Sequence, residues 1–202
     1  MLSSCGTPIL MHDETLDRTT SGRGRVADTP YRVIRRLDAG SWLDGEFSGE
    51  RVPTFAEAAL LCIALGLAAN VEIKPSAGAE QATGNSVASL AARVWRNHSV
   101  PPLLSSFSEK ALREAQAAAP LLRRGLLVQD PPVDWLDRIE RLDCFSLHCD
   151  YACLGGPLAE QAKRSHIALV AYTVNDAAEA AGLLNSGANA VITDNLTLAR
   201  AA

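Results

Sequence analysis

The chain has 202 residues, 48% of them apolar, and carries 19 Lys+Arg against 23 Asp+Glu for a formal net charge of −4. That length and apolar share allow one sizeable core, read as a single domain over 1–202. The interspersed charges lack the basic stripe of a nucleic-acid binder. No apolar run reaches membrane-span length, because the stretch 56–69 is broken by Glu57 and ends at Asn70.

The first ten residues hold neither a basic n-region nor a cleavage site, so no signal peptide is expected. The five cysteines are an odd number without a Cys-x-x-Cys pair. They fit reduced thiols in a cytoplasmic protein better than a disulfide framework or a zinc site.

In chain order, residues 1–5 and 7–11 read as two short strand pieces turning near Gly6. The second piece runs into His12-Asp13. A polar segment from Glu14 to Arg25 follows and begins a longer irregular region, with Ser21-Gly22-Arg23-Gly24 as loop punctuation. It reads as a loop-and-helix insertion around 14–52, with a short helix over 31–37 opened by Thr29-Pro30. Trp42 and Phe47 are candidate anchors in the loop that follows. Thr54 and Glu57 have capping-box spacing ahead of a helix over 55–67.

Residues 69–74 alternate strictly, placing Val71 and Ile73 on one face and Asn70, Glu72 and Lys74 on the other. In a half-exposed strand Glu72 and Lys74 are simply solvated. In a parallel barrel that face turns inward, where a charge needs a partner. A repeat of strand and helix follows. Strands are expected over 102–107, 125–128, 144–148, 167–174 and 188–193. Helices are expected over 79–97, 109–119, 132–140, 156–166 and 176–186, with a helical turn at the end. Such alternation implies right-handed crossovers and a parallel sheet. It also gathers His12, Glu72, Lys74, Ser105, Ser106, His148, Thr173, Asn175 and Asp194 at strand ends. His12 taken alone has a plainer reading, as a strand-end histidine bonded to backbone.

The ordered series is more specific than any one element. It runs His12-Asp13-x-x-Leu16-x-Arg18-Thr19-Thr20-x-Gly22, Leu37-Asp38-Ala39-Gly40, Val52-Pro53-Thr54-Phe55-x-Glu57 and Asn70-Val71-Glu72-Ile73-Lys74. Ser105-Ser106-Phe107-Ser108, Tyr172-Thr173-Val174-Asn175 and Ile192-Thr193-Asp194-Asn195 continue it. Over nearly its whole length the chain resembles the glycerophosphodiester phosphodiesterases.

The resemblance implies an α/β fold, the (β/α)8 TIM barrel. It also implies metal-dependent hydrolysis of a small-molecule glycerophosphodiester to sn-glycerol 3-phosphate and an alcohol, in lipid and glycerol metabolism. His12 matches the second of the family's two catalytic histidines. Glu72 matches a metal-binding carboxylate, with Mg2+ or Ca2+ as the implied divalent ion. Lys74 matches a basic residue at the phosphate. Ser106, His148 and Tyr172 are further pocket candidates, with Tyr151 beside them.

The family's opening His-Arg and Glu-x-Asp pieces have no counterpart, and Met1-Leu2-Ser3-Ser4 resembles the stretch just after the latter. The expectation is therefore a barrel lacking the first strand, the first helix and most of the second strand, with impaired activity. An inactive binder of glycerol phosphates, or an associating barrel fragment, is the alternative. An oligomer is compatible with either.

Overall fold

The structure, a computed structural model, describes residues 1–200. It divides into two compact units, Met1–Leu122 and the remainder from Arg123.

The first unit begins with isolated bridges. Leu2 pairs with Pro8, Ile9 with Thr54 and Thr15 with Arg25, all antiparallel. The expected opening hairpin is thus a single bridge, since arms of four or five residues offer too few ladder bonds. Ile9, Leu16, Val26, Ile34 and Val52 bury together over this segment. The region 14–52 contains only short helical pieces: Val26–Asp28, α1 (Tyr31–Ile34) and Gly45–Phe47. Its loop is ordered by one carboxylate. Asp38 accepts from the backbone N–H of Gly40, Ser41 and Gly49 at 2.9, 2.9 and 2.8 Å, and from the Ser41 hydroxyl at 2.8 Å.

Helix α2 (Phe55–Ala64) starts at the capping box expected from sequence. Thr54 Oγ1 accepts from Glu57 N, and the Glu57 carboxylate accepts from Thr54 N at 2.8 Å. One face, Phe55 and Ala59, is buried, while Leu60, Leu61 and Leu65 are exposed. Strand β1 (Asn70–Glu72), α3 (Glu80–Val94), β2 (Leu103–Ser106) and α4 (Glu109–Ala118) complete the unit. β1 and β2 are parallel, with Glu72 opposite Ser105. The core gathers Phe55, Ile73, Val87, Ala91, Trp95, Leu104 and Ala111. Phe55 and Trp95 meet at a centroid distance of 6.2 Å, within the range of favourable ring contacts.

The second unit holds β3 (Arg124–Leu127), α5 (Trp135–Leu142), β4 (Ser146–Asp150), α6 (Gly156–Arg164), β5 (Ala168–Tyr172), α7 (Ala177–Asn185) and β6 (Ala190–Val191). β3–β4, β4–β5 and β5–β6 each pair in parallel. Every one of these parallel strands therefore neighbours the next in sequence, the arrangement of consecutive βα units. Among the described residues there are six strands, and most are shorter than their apolar runs.

A buried arginine closes α5. Arg124 donates to the Leu142 and Asp143 carbonyls at 3.3 and 2.9 Å and to the Asp143 carboxylate at 2.6 Å. A guanidinium there satisfies the free carbonyls of a helix C-terminus and complements its dipole. Nothing in the sequence marks this arginine for burial.

Candidate active site

The site grows from the exit of the first segment and the end of β1, both in the first unit. Ile9 is held by its bridge to Thr54, and three residues later the chain presents His12. Burial along 70–74 follows the alternation: Ile73 is buried, Glu72 exposed and Lys74 half-buried. Lys74 Nζ lies 3.3 Å from His12 Nε2 across 62 positions of sequence. Glu72, Lys74, Glu80, Ser106 and Phe107 line one open cleft of about 270 Å³.

The other ring nitrogen is engaged as well. His12 Nδ1 is 2.9 Å from Asp13 Oδ1. Arg18 grips the same carboxylate with Nε at 2.6 Å and Nη2 at 2.9 Å. The Arg18 guanidinium, and after it the imidazole, hold the Asp13 carboxyl well below the usual carboxylate range. An ionised carboxylate only accepts and an ammonium only donates. Asp13 therefore requires a proton on Nδ1 of His12, and Lys74 requires a lone pair on Nε2. Both neighbours select the same neutral tautomer, with Nε2 as the basic nitrogen.

Ser106 stands at the cleft, but its hydroxyl donates to Ile73 O at 2.6 Å and accepts from Ser108 N at 3.0 Å. It ties β1 to the start of α4 rather than offering a nucleophile. Tyr172, in the second unit, donates its hydroxyl to Val128 O at 2.7 Å. His148, also there, is fully buried on β4, with Nε2 2.9 Å from Ser146 Oγ. Burial pushes its pKa down to about 4, the behaviour of a neutral core histidine. The structure thus brings together His12, Lys74, Glu72 and Ser106, while the described contacts of His148 and Tyr172 lie within the second unit.

Sequence reasoning missed the roles of Asp13, Arg18 and Glu80. Asp13 adjoins His12 in the chain, and that adjacency was the available signal. Arg18 returns to it only through the turn between them.

The donor set does not fit a divalent ion. Among the described residues no group of three or more His, Cys, Asp and Glu side chains could hold a metal. Glu80 lines the cleft, but its Oε1 accepts from Gly78 N at 3.1 Å. Glu72 and Glu80 together bring two carboxylates where Ca2+ takes about six to eight oxygens. Calorimetric titration of the 202-residue chain with Ca2+ or Mg2+ is expected to show no saturation below about 1 mM, the weak end of calcium modules. Micromolar binding would reveal ligands that this donor set lacks.

An imidazole with a defined basic nitrogen thus meets an ammonium that lines a cleft together with a carboxylate. The chain belongs to the glycerophosphodiester phosphodiesterases: the profile described as "Glycerophosphoryl diester phosphodiesterase family" matches residues 1–198. Members of that family are phosphoric diester hydrolases.

A glycerophosphodiester phosphodiesterase of Caldanaerobacter subterraneus is 32% identical over 194 residues, covering 96% of this chain and 79% of the relative. One from Bacillus subtilis is 29% identical over 209 residues, covering 94% and 69%. In structure, the chain is similar to an Oleispira antarctica phosphodiesterase in complex with the product sn-glycerol-3-phosphate. That match has a TM-score of 0.89 and 36% identity, over 96% of this chain and 78% of the other. The Agrobacterium tumefaciens enzyme shares the fold at a TM-score of 0.78 and 23% identity, over 100% and 84%. The parallel βα arrangement is thus that of the barrel-type phosphodiesterases. No helix among the described residues is long and apolar enough to cross a membrane.

Proposed function

We propose that the cleft binds the phosphate of a glycerophosphodiester and that its chemistry is hydrolysis to sn-glycerol 3-phosphate and an alcohol, a step of lipid and glycerol metabolism. The observation that carries this is the 3.3 Å approach of Lys74 to His12 beside Glu72. A bound phosphodiester anion draws the Lys74 ammonium onto a non-bridging oxygen, where it offsets the charge that builds up in the transition state. His12 Nε2 is then released to take a proton from the attacking water. One P–O bond forms to the water oxygen, the P–O bond to the alcohol breaks, and the departing alkoxide takes a proton from solvent.

The divalent ion implied by the resemblance would meet just two carboxylates lining this cleft, Glu72 and a Glu80 already drawn onto Gly78 N, too few to hold it. With one imidazole at the cleft, acid–base catalysis has a base and no positioned acid. Turnover by the 202 residues alone is therefore expected to be slow. A single imidazole and cation suit holding a phosphate monoester, which is why a glycerol-phosphate binder stands as the second reading.

Calorimetry with sn-glycerol 3-phosphate tests both. Lys74→Met is expected to weaken binding about tenfold, the scale of one charge-assisted hydrogen bond. Equal affinity in the variant would remove the phosphate role. Release of sn-glycerol 3-phosphate from glycerophosphocholine separates the readings, since the binder predicts none.

A further inference from the structure

Arg18 lies outside the cleft and touches none of the groups that meet substrate. Its guanidinium makes two parallel contacts to Asp13, at 2.6 and 2.9 Å. Its other side rests over the Trp42 ring, with Cζ 5.6 Å from the centroid, within cation–π range. Trp42 is itself fixed, its indole N–H donating to Ala39 O at 2.9 Å. The loop that carries it is gathered on Asp38. Gly40 makes that packing feasible, because a Cβ there would lie 1.9 Å from Phe47 O.

A continuous series therefore runs from a rigid loop through Trp42, Arg18 and Asp13 to His12. His12 needs such support because its side chain is 72% exposed. No core packing fixes its ring, and a free imidazole samples both tautomers.

We propose that Arg18 is a positioning residue: held by Trp42, it fixes the Asp13 carboxylate so that His12 keeps its proton on Nδ1 and presents Nε2 to Lys74. The two-point fork is the reason for arginine here. A lysine supplies the charge without fixing the plane of the carboxylate. The inference rests on the phosphodiester reading for its purpose, but the geometry it claims exists without substrate.

The test is a long-range proton–nitrogen correlation spectrum of the 202-residue chain near neutral pH, in which the two neutral tautomers give different ring-nitrogen shifts. Wild type is expected in the Nδ1–H form at His12. Arg18→Gln is expected to move the tautomer ratio about three- to tenfold toward Nε2–H, one charge-assisted contact discounted for its exposure. Backbone amides beyond the 12–49 region should be unchanged. Arg18→Lys is expected to shift in the same direction by less, and it decides the question if Arg18→Gln does not fold.

An Nε2–H wild type, or a ratio indifferent to both variants, overturns the proposal. Adding sn-glycerol 3-phosphate to the same samples separates the two claims. No perturbation of His12 or Lys74, with the tautomer still fixed, sinks the phosphodiester reading and leaves Arg18 in place. Perturbation by ligand with a ratio indifferent to Arg18 does the reverse.

Discussion

Acidification from pH 6.5 to about pH 4 is expected to cost the fold roughly 3 kcal/mol through His148 alone, at about 1.4 kcal/mol per pH unit. Its imidazole is fully buried on β4. One nitrogen faces Ser146 Oγ, and Nδ1 has no hydrogen-bond partner. No acceptor there compensates a second proton, so burial lowers the pKa to about 4 from 6.5. Between those values the unfolded chain binds a proton that the folded chain refuses. Stability therefore falls as pH falls through the window, and this contribution levels off below it.

The half-buried carboxylates held low by their partners, Asp13 and Asp38 among them, act in a different range. Their contributions are present above the ordinary carboxylate pKa and are lost only below it. Urea midpoints measured across pH 4–7 check the prediction, with His148→Gln as the control that should flatten the slope. An unchanged slope in that variant would locate the acid sensitivity elsewhere. Gly125 explains how the ring fits, since a Cβ there would lie 2.6 Å from His148 Nε2 and 2.7 Å from Ser146 Oγ.

Gly84→Ala is expected to destabilise the protein by about 1 kcal/mol, although alanine is the better helix former. Propensity alone favours the change by about 1 kcal/mol in the interior of α3. Packing opposes it more strongly. The added Cβ would stand 2.3 Å from the Ala111 carbonyl oxygen and 3.0 Å from its carbon. That neighbour is backbone of α4 and cannot rotate aside, so the helices must separate, at a typical overpacking cost of about 1–3 kcal/mol. Gly182→Ala, in α7, is the matched comparison. Nothing lies within 4 Å of its added Cβ, so propensity acts unopposed and a gain of up to about 1 kcal/mol is expected. Thermal unfolding of both variants checks the pair, and a stabilised Gly84→Ala would contradict the close α3–α4 contact.

What the sequence revealed followed the strength of its periodicities. The alternation over 70–74 correctly separated Ile73 from Glu72 and Lys74, because a strand between a core and a cleft has two chemically different faces. Thr54 and Glu57 announced the start of α2 because a capping box is local and its partners are three residues apart.

Strand ends were legible only roughly. The apolar run over 188–193 holds just two ladder residues, Ala190 and Val191, since hydrophobicity marks burial and not pairing. The His12–Lys74 contact spans 62 positions and could enter only through the family resemblance. Ser106 was placed near the cleft, yet its engagement with Ile73 O depends on a neighbouring strand that no local pattern encodes. The Arg18–Trp42 contact was equally hidden, because the loop between them has no periodicity to read.

The parallel pairing of β3 with β4, β4 with β5 and β5 with β6 has a kinetic consequence. Each strand meets one made only a helix earlier, so loop-closure entropy stays modest at every step. In this second unit, each new strand therefore docks by closing a short loop, and no pairing between distant segments has to be found.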